Sequence, residues 1–388
     1  MASDAVMLEV DGREVRVTNP GKVFFSARGE TKLDLVEYYL SVAEPLLRAM
    51  GGRPVLLERY PDGAGGKSFF QKRVPKGAPE WLTTTVVSTP NGTLSNAMVA
   101  ADLAHVVWAV NMGCLGFHVW PYLAHAPDPE AEQTGGPIRL MRARPWPERP
   151  VSAANRSGQD DAAPRWAPTD SSSLAADELR IDLDPQPGVV FDQVREAARE
   201  VKAAFDELGM AVYIKTSGRR GLHVYSRLAP RWDSYDVRAA AVALAREMAR
   251  RRPDLITDAW WKEERGRRVF VDFNQNAPHK TVFGAWSARP RVGGQVSAPI
   301  SWDELDDVQP EDLTIASVGA RAAEVGDPWA AMDGVPASLA PLMEWHARDM
   351  DSGLMDAPWP PVYPKMPNEP PRVAPSRAAR SQEEDGSP

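Results

Sequence analysis

The stretch LRIDLDP, Leu179–Pro185, alternates apolar and charged residues. Side chains alternate across a strand, so Ile181 and Leu183 share one face and Asp182 and Asp184 the other. Two carboxylates about 6.6 Å apart on one face repel each other, and a chain that keeps them calls for something positive between them. Working outward, Val190–Leu208 has helical spacing and ends at Gly209, and Ala211–Ser217 reads as a second strand. Gly218–Gly221 is a tight turn and Leu222–Ser226 a third strand. Ser234–Arg251 is a second helix and Arg268–Phe273 a fourth strand. The order β-α-β-β-α-β is the split βαβ, ferredoxin-like unit, which puts the first strand between the third and the fourth. The fold class is therefore α+β.

The same alternation assigns faces to the other strands. Leu222 and Val224 oppose His223 and Tyr225, while Val269, Val271 and Phe273 oppose Phe270 and Asp272. The apolar sets suit the face covered by the helices, so the other face gathers Asp182, Asp184, Asp272 and His223. With neighbouring strands about 4.8 Å apart, three carboxylates can converge, and all-oxygen ligation suits Mg²⁺ or Mn²⁺. A lone D-x-D is common in surface strands and turns; the third carboxylate on the adjacent strand favours the metal. Beside it, Ser217–Gly221 carries two glycines and two arginines and exposes backbone N–H groups. Alone that is an ordinary hairpin with solvated arginines. Next to a metal cluster it suits a triphosphate, and the pair describes two-metal phosphoryl or nucleotidyl transfer.

The rest of the chain sets limits. Its 388 residues are 43% hydrophobic and 25% charged, enough for a sizeable core. The most apolar stretch, 97–120, is interrupted by Asp102, His105 and Asn111, which excludes a membrane span. The opening MASDAVMLEV lacks the basic and apolar regions of a signal peptide. Cys114, the one cysteine, sits among apolar residues and reads as a buried structural thiol. The expectation is an intracellular protein. A net charge of −8 argues weakly against a nucleic-acid partner, yet five basic residues and no acid lie from Lys215 to Arg231, so an anionic ligand fits locally. LEV-DG-REVRV reads as a hairpin and 31–50 as helical. Strands are expected at Pro54–Tyr60, Ser68–Val74, Thr83–Ser88 and along CLGFHVW, with a helix over Ala101–Asn111. Residues 126–177 are rich in Pro, Ser, Asp and Ala and read as an insertion loop. The expected organisation is a catalytic domain over 1–330 and a Pro-rich extension over 331–388 whose end is disordered.

Seven blocks together resemble the polymerase domain of bacterial ligase D, in the archaeo-eukaryotic primase superfamily, in its stand-alone actinobacterial form. They are TNPGKVFF, SFFQKRVPKGAPEWL, NMGCLGFHVWP, ELRIDLDPQPG, KTSGRRGLHVY, WWKEERGRRVFVDFNQN and VSAPISWDEL. The resemblance implies a primase-polymerase fold with an N-terminal β-rich lobe, and template-directed nucleotide addition at gaps in non-homologous end joining. It implies that Asp182, Asp184 and Asp272 bind two Mn²⁺ or Mg²⁺ ions, with Asp272 also activating the primer 3′-hydroxyl. Ser217, Arg220, His223, His118, Lys262, Arg265 and Arg289 would contact the incoming nucleotide. Asn19, Lys22 and Lys32 would grip a 5′-phosphate on DNA, and Phe69 and Phe70 would meet the template, one stacking and one packing. Without the resemblance, His118 reads as core, Lys262 and Arg265 as solvating a turn, and Asn19, Lys22 and Lys32 as a loop and helix start. Trp260 and Trp261 read as packing; His105 and His125 have no motif. Arg220 departs from the lysine frequent in the family, and the sequence deviates after NQN, leaving His279 and Lys280 unassigned. Implied partners are DNA with a 5′-phosphorylated gap or end, nucleoside triphosphates, a Ku-type protein and a separate DNA ligase, with no membrane. The implied location is cytoplasmic, associated with the nucleoid. Two further readings stay open: a de novo primase, and a DNA-end bridging module that recognises the 5′-phosphate.

Overall fold

The computed structural model describes residues 4–90, 92–124, 175–334 and 336–374. Nearly all of the expected insertion, the end of the tail and His125 lie outside them. The chain starts with the expected hairpin, β1 (Ala5–Val10) and β2 (Arg13–Thr18), turned through Asp11 and Gly12, both at positive φ. A small hairpin, β3 (Val23–Phe25) and β4 (Glu30–Thr31), leads into α1 (Lys32–Ser41), whose start is fixed by a Thr31–Asp34 capping box. The helical run expected over 31–50 is broken at Val42, and α2 occupies Ala43–Met50. Pro45 explains the break, since it has no N–H for the Ser41 carbonyl and its ring clashes with a continuous helix.

Next come β5 (Pro54–Arg59), β6 (Phe69–Gln71), β7 (Thr84–Ser88), β8 (Leu94–Val99), α3 (Leu103–Asn111) and β9 (Cys114–Val119). The central unit is β10 (Ala176–Pro185), α4 (Phe191–Glu207), β11 (Tyr213–Thr216), β12 (Leu222–Trp232), α5 (Ser234–Arg251), β13 (Ile256–Thr257) and β14 (Val269–Asp272). Short β15 (Val282–Phe283) and β16 (Pro299–Ile300) follow, then α6 (Val318–Val325) and α7 (Ala340–Asp351). One sheet has the order β13-β14-β10-β12-β11-β16; the other has β15-β9-β5-β8-β7, with β6 on β5. As the β-α-β-β-α-β order requires, β10 lies between β12 and β14. No helix among the described residues is long and apolar enough to cross a membrane.

Ile181, Leu183, Leu222, Val224, Val269 and Val271 are fully buried, on the face that α4 and α5 pack against. One continuous core joins both sheets and takes in Met332, Leu339, Leu342 and Met343 from beyond residue 330. A buried ionic latch ties the sheets together. Arg53 forks onto Asp177 at 2.6 Å for both bonds, Arg227 bridges Asp177 and Glu178 at 3.0 Å each, and Arg180 holds Glu178. Paired in this way the charges can leave water, while losing one partner would strand the others. The Pro-rich segment after Asp356 has no regular element up to residue 374, yet it is docked: Trp359 and Tyr363 are buried with Ala277.

Candidate active site

Strand register builds the site. Asp182 pairs with Asp272 on one side and His223 on the other, and His223 pairs with Lys215. Asp272, Asp182, His223 and Lys215 therefore form one row across four strands. Gln275 Nε2 donates to Asp272 Oδ2 at 2.8 Å and reaches Asp182 Oδ2 at 3.4 Å, and the Asn274 N–H donates to Asp272 Oδ1 at 3.0 Å. His223 Nε2 lies 3.4 Å from Asp182 Oδ1. Asp184, two residues along the same face, is exposed, with Gln186 Nε2 at 3.5 Å. Burial, then the charges of Asp272 and Asp184, push Asp182 up to about 8, against the pull of Lys215 and Arg289. Burial also raises Asp272, opposed by the Asn274 N–H, Lys280 and Arg265.

A carboxyl held that high by burial and by two neighbouring acids marks a place short of positive charge, and its all-oxygen donors fit a hard divalent cation. Among the described residues no three acid, cysteine or imidazole groups already stand together as a finished ligand cage. The Gln275 amide instead spans two of the acids.

The turn after β11 is pinned against this row. The Ser217 hydroxyl accepts from the N–H groups of Arg219 (3.2 Å) and Gly221 (3.1 Å). Gly218 has φ +70°, and a Cβ there would sit 2.5 Å from Arg289 Cγ; one on Gly221 would sit 2.5 Å from the Leu183 carbonyl oxygen. Only glycine lets the turn approach both. Arg289 lies over the Phe283 ring at 3.9 Å. Burial brings it down to about 10 despite Asp182 and Glu58. Its Nε is buried with no hydrogen-bond partner among the described residues, the kind of orphan donor an anionic ligand would satisfy.

His118 belongs to the other sheet but reaches the same place through Phe283, whose ring meets it edge-on at 5.0 Å. Its Nε2 lies 3.0 Å from Glu58 Oε2. Burial would raise Glu58, but the hydrogen bond and charge of His118 hold it below the usual carboxylate range. Phe70 stands edge-on to His118 at 5.4 Å, and Arg59 covers Phe69 at 5.0 Å. Both phenylalanines are exposed, 47% and 60%, which corrects the expectation that one packs: among the described residues β6 is a short strand paired only to β5. Arg265 is buried, donating to the carbonyls of Ala259 and Trp260 and lying 3.5 Å over Phe270; Asp272 and Asp184 feel its charge. Arg220 and Lys262 are exposed and make no side-chain hydrogen bond or ion pair among the described residues.

Asn19, Lys22 and Lys32 form a separate group. Asn19 is at φ +50°, its carbonyl accepting from the Lys22 N–H at 3.0 Å. Half-buried Lys22 pairs with exposed Asp62 at 2.8 Å. Lys32 is 5% exposed, donates to the carbonyls of Thr18 (2.6 Å) and Asn111 (3.2 Å), and is lowered by burial and by Lys22. His105 and the thiol resolve as structural. His105 is buried between Asp102 and the Thr83 N–H, and Cys114 is buried with its thiol pushed up by desolvation.

Sequence reasoning missed Lys215, Gln275 and Glu58. Gln275 sits in the NQN that follows Asp272, where an amide next to a clustered carboxylate was the available signal. Lys215 lies directly before the Ser217 turn and reads as solvated; Glu58 acts across β5–β9, a pairing that no local pattern reveals.

A family model described as LigD, primase-polymerase domain, matches residues 31–134 and 162–329. The chain belongs to that family, and so to the primase-polymerase class of nucleotidyltransferases. The multifunctional non-homologous end joining protein LigD of Mycolicibacterium smegmatis is 29% identical over 354 residues, covering 91% of this chain and 40% of that protein. The LigD of Mycobacterium tuberculosis is 30% identical over the same length, covering 91% and 41%. The bifunctional LigD of Bacillus subtilis is 27% identical over 318 residues, covering 81% and 44%. This chain thus spans about two fifths of the length of these relatives. Among solved structures, the polymerase domain from Mycobacterium tuberculosis ligase D in complex with DNA superposes with a TM-score of 0.69 at 29% identity, covering 83% of this chain and 99% of that one.

Proposed function

We propose that this chain extends a DNA primer strand by template-directed nucleotide addition, filling gaps at DNA ends that carry a 5′-phosphate during non-homologous end joining. The observation that supports it most is the row of Asp272 and Asp182 beside a glycine-pinned turn and the buried Nε of Arg289, which has no partner among the described residues. Asp182, Asp184 and Asp272 would hold divalent cations, Mn²⁺ or Mg²⁺ and two in number, which neutralise charge at the reacting phosphate and make the primer 3′-hydroxyl easier to deprotonate. Ser217, His223 and Arg289 bind the β- and γ-phosphates, with exposed Arg220 and Lys262 closing on them from outside. Arg265, locked to the Ala259–Trp260 backbone, contributes a fixed positive field at Asp272 and Asp184. The 3′-oxygen attacks the α-phosphorus, a phosphodiester bond forms, and pyrophosphate leaves with its charge matched by cations already in place. His118 and the exposed Phe69–Phe70 pair give the base and template strand an aromatic edge. Lys22, Lys32 and Asn19 receive the 5′-phosphate. A Ku-type protein and a separate ligase complete the set of partners.

The test is primer extension on a gapped duplex with and without a 5′-phosphate, using NTPs or dNTPs and Mn²⁺. Extension stimulated by the phosphate and lost in Asp182→Asn and Asp272→Asn supports the reading; normal extension by Asp272→Asn would end it. Lys22 and Lys32 are bonded to Asp62 and to the Thr18 and Asn111 carbonyls and share no hydrogen bond or ion pair with the acidic row among the described residues, which favours one second reading, end bridging. In that case both aspartate variants would still hold two DNA ends together while Lys22→Ala would not.

A further inference from the structure

Asp272 is held by the turn that follows it, Phe273–Asn276, and each polar residue of that turn has a separate duty. The Asn274 N–H donates to Asp272 Oδ1, and Gln275 spans Asp272 and Asp182. Asn276 ties the turn to β10, accepting from the Arg180 N–H at 2.9 Å and donating to the Arg180 carbonyl at 2.7 Å. The Asn274 side chain belongs instead to a clamp. Its Oδ1 accepts from Arg238 Nε at 2.7 Å, and its Nδ2 donates to the Pro358 carbonyl at 3.0 Å. Arg238 Nη2 donates to the same carbonyl at 3.2 Å, which closes a triangle, and to that of Ala357 at 2.8 Å. Arg238 is 1% exposed; its Nη1 meets Asp356 at 3.1 Å and the Trp359 ring covers its guanidinium at 3.9 Å. A guanidinium cannot shed its charge, so its burial depends on the partners that residues 356–359 supply. The segment is fastened again where the Tyr363 hydroxyl donates to the Pro278 carbonyl. Glu369 knots it, accepting from the N–H groups of Trp359 (2.7 Å) and Met366 (2.9 Å).

We propose that residues 356–372 form a strap that positions Asp272 for a divalent cation: Arg238 and Trp359 fix Asn274, and Asn274 fixes the carboxylate. The inference rests on the metal-binding reading of the acidic row given above. The strap lies beyond residues 31–134 and 162–329, the spans that the family model matches, so that match assigns it no role. A tail docked for stability alone needs only its buried rings. Here the hydrogen bonds of the segment converge on Asn274, two residues from a metal-binding acid. A carboxylate already held in one direction loses less freedom when the ion arrives, so the clamp acts on affinity. Asn274, Arg238 and Trp359 are positioning residues, working through Asp272.

The test needs no turnover. Mn²⁺ binding to the full chain, without nucleotide or DNA, is followed by the loss of the free-ion paramagnetic resonance signal. Asn274→Ala keeps the backbone N–H but releases it from the clamp, and should weaken Mn²⁺ binding about 10-fold, a typical loss for an outer partner of a metal ligand. Trp359→Ala should weaken it by a similar factor. Trp359→Phe, which restores a ring over Arg238, should recover most of that loss. The double variant Asn274→Ala/Trp359→Ala should bind no worse than Asn274→Ala, because both act along one path; additive losses would overturn the proposal. Leu46→Ala is the control for stability: it empties a fully buried position on α2, lowers the Tm, and should leave Mn²⁺ binding unchanged. Binding that falls as far in Leu46→Ala as in Trp359→Ala also overturns it. Asp272→Asn separates the two readings. If it loses the ion while Asn274→Ala and Trp359→Ala, folded by circular dichroism, keep wild-type affinity, the metal reading stands and the strap alone is overturned. If Asp272→Asn binds Mn²⁺ as the wild type does, the metal reading fails and the strap falls with it.

Discussion

The two histidines at the site stand on different sheets and are held by different chemistry, a carboxylate in one case and a buried amine in the other. His118, on β9, has Glu58 at its Nε2; His223, on β12, has Lys215 at its Nδ1. A carboxylate partner consumes the Nε2 proton inward, so His118 can donate a second hydrogen bond only as an imidazolium. His223 instead meets the buried Lys215 at Nδ1 and faces Asp182 with Nε2 at 3.4 Å. One fold thus sets two imidazoles to two tasks by choosing what stands behind each. The same holds beyond histidine: Arg265, which would not meet the ligand, is fixed by the Ala259 and Trp260 carbonyls and acts on Asp272 and Asp184 by its charge.

That contrast can be broken most severely at the acids. Asp182→Asn or Asp272→Asn should lower extension by about 10³-fold or more, a loss of several kcal/mol of transition-state stabilisation, while circular dichroism stays that of the wild type. Glu58→Gln sharpens the comparison from the other sheet. It should weaken nucleotide use about 10-fold, read as KM on the gapped duplex, whereas the aspartate variants lose extension itself; an unchanged KM would mean that Glu58 plays no part in holding His118 for the nucleotide. In the phosphate group, Lys22→Ala should abolish stimulation by a 5′-phosphate at little cost to stability, about 0–1 kcal/mol for an exposed ion pair. Lys32→Met should lose the same stimulation and also stability, about 1–3 kcal/mol, because the Thr18 and Asn111 carbonyls lose their donor. Chemical denaturation separates the two.

The smallest effect is in pH. Asp182 is held at about 8 in the folded chain, above the value near about 4 of an unfolded aspartate. The folded state therefore carries the extra proton between those values, and metal-free stability should fall as pH rises from about 4 to about 8. The Tm should drop by on the order of a few degrees across that window. Asp182→Asn should flatten the profile, and saturating Mn²⁺ should reverse it. A metal-free Tm that rises between pH 5 and 8 would contradict the crowding of the three acids.

The central unit was legible because its periods switch cleanly between two and 3.6 residues, and because Asp182 and Asp184 interrupt an otherwise dry strand. Other features depend on distant residues. β8 was missed because LSNAMV places Ser95 and Asn96 in a strand that becomes central only when β5 and β7 flank it. The break at Val42 was readable from Pro45 and outweighed by the apolar spacing around it. Strand β10 starts at Ala176, ahead of the expected Leu179, because Asp177 and Glu178 are paid for by Arg53 and Arg227 from far along the chain. At the site, the aspartates and the turn declared themselves, whereas Arg289 and His118 came only through the family resemblance. Lys215 was hidden because a lysine beside a turn ordinarily faces water.

The docked Pro-rich segment has a consequence for how the protein is made. Asn274, whose N–H holds Asp272, is itself held at its side chain by Arg238 Nε at 2.7 Å and by the Pro358 carbonyl at 3.0 Å. Trp359 lies 3.9 Å under the Arg238 guanidinium and completes the clamp. Asn274 and Pro358 are 84 residues apart in the chain. The ribosome therefore releases all three aspartates well before the segment that frames the last of them, and a product that stops short of Pro358 carries the acids without their frame. Completion of the frame around Asp272 is therefore a late event of synthesis.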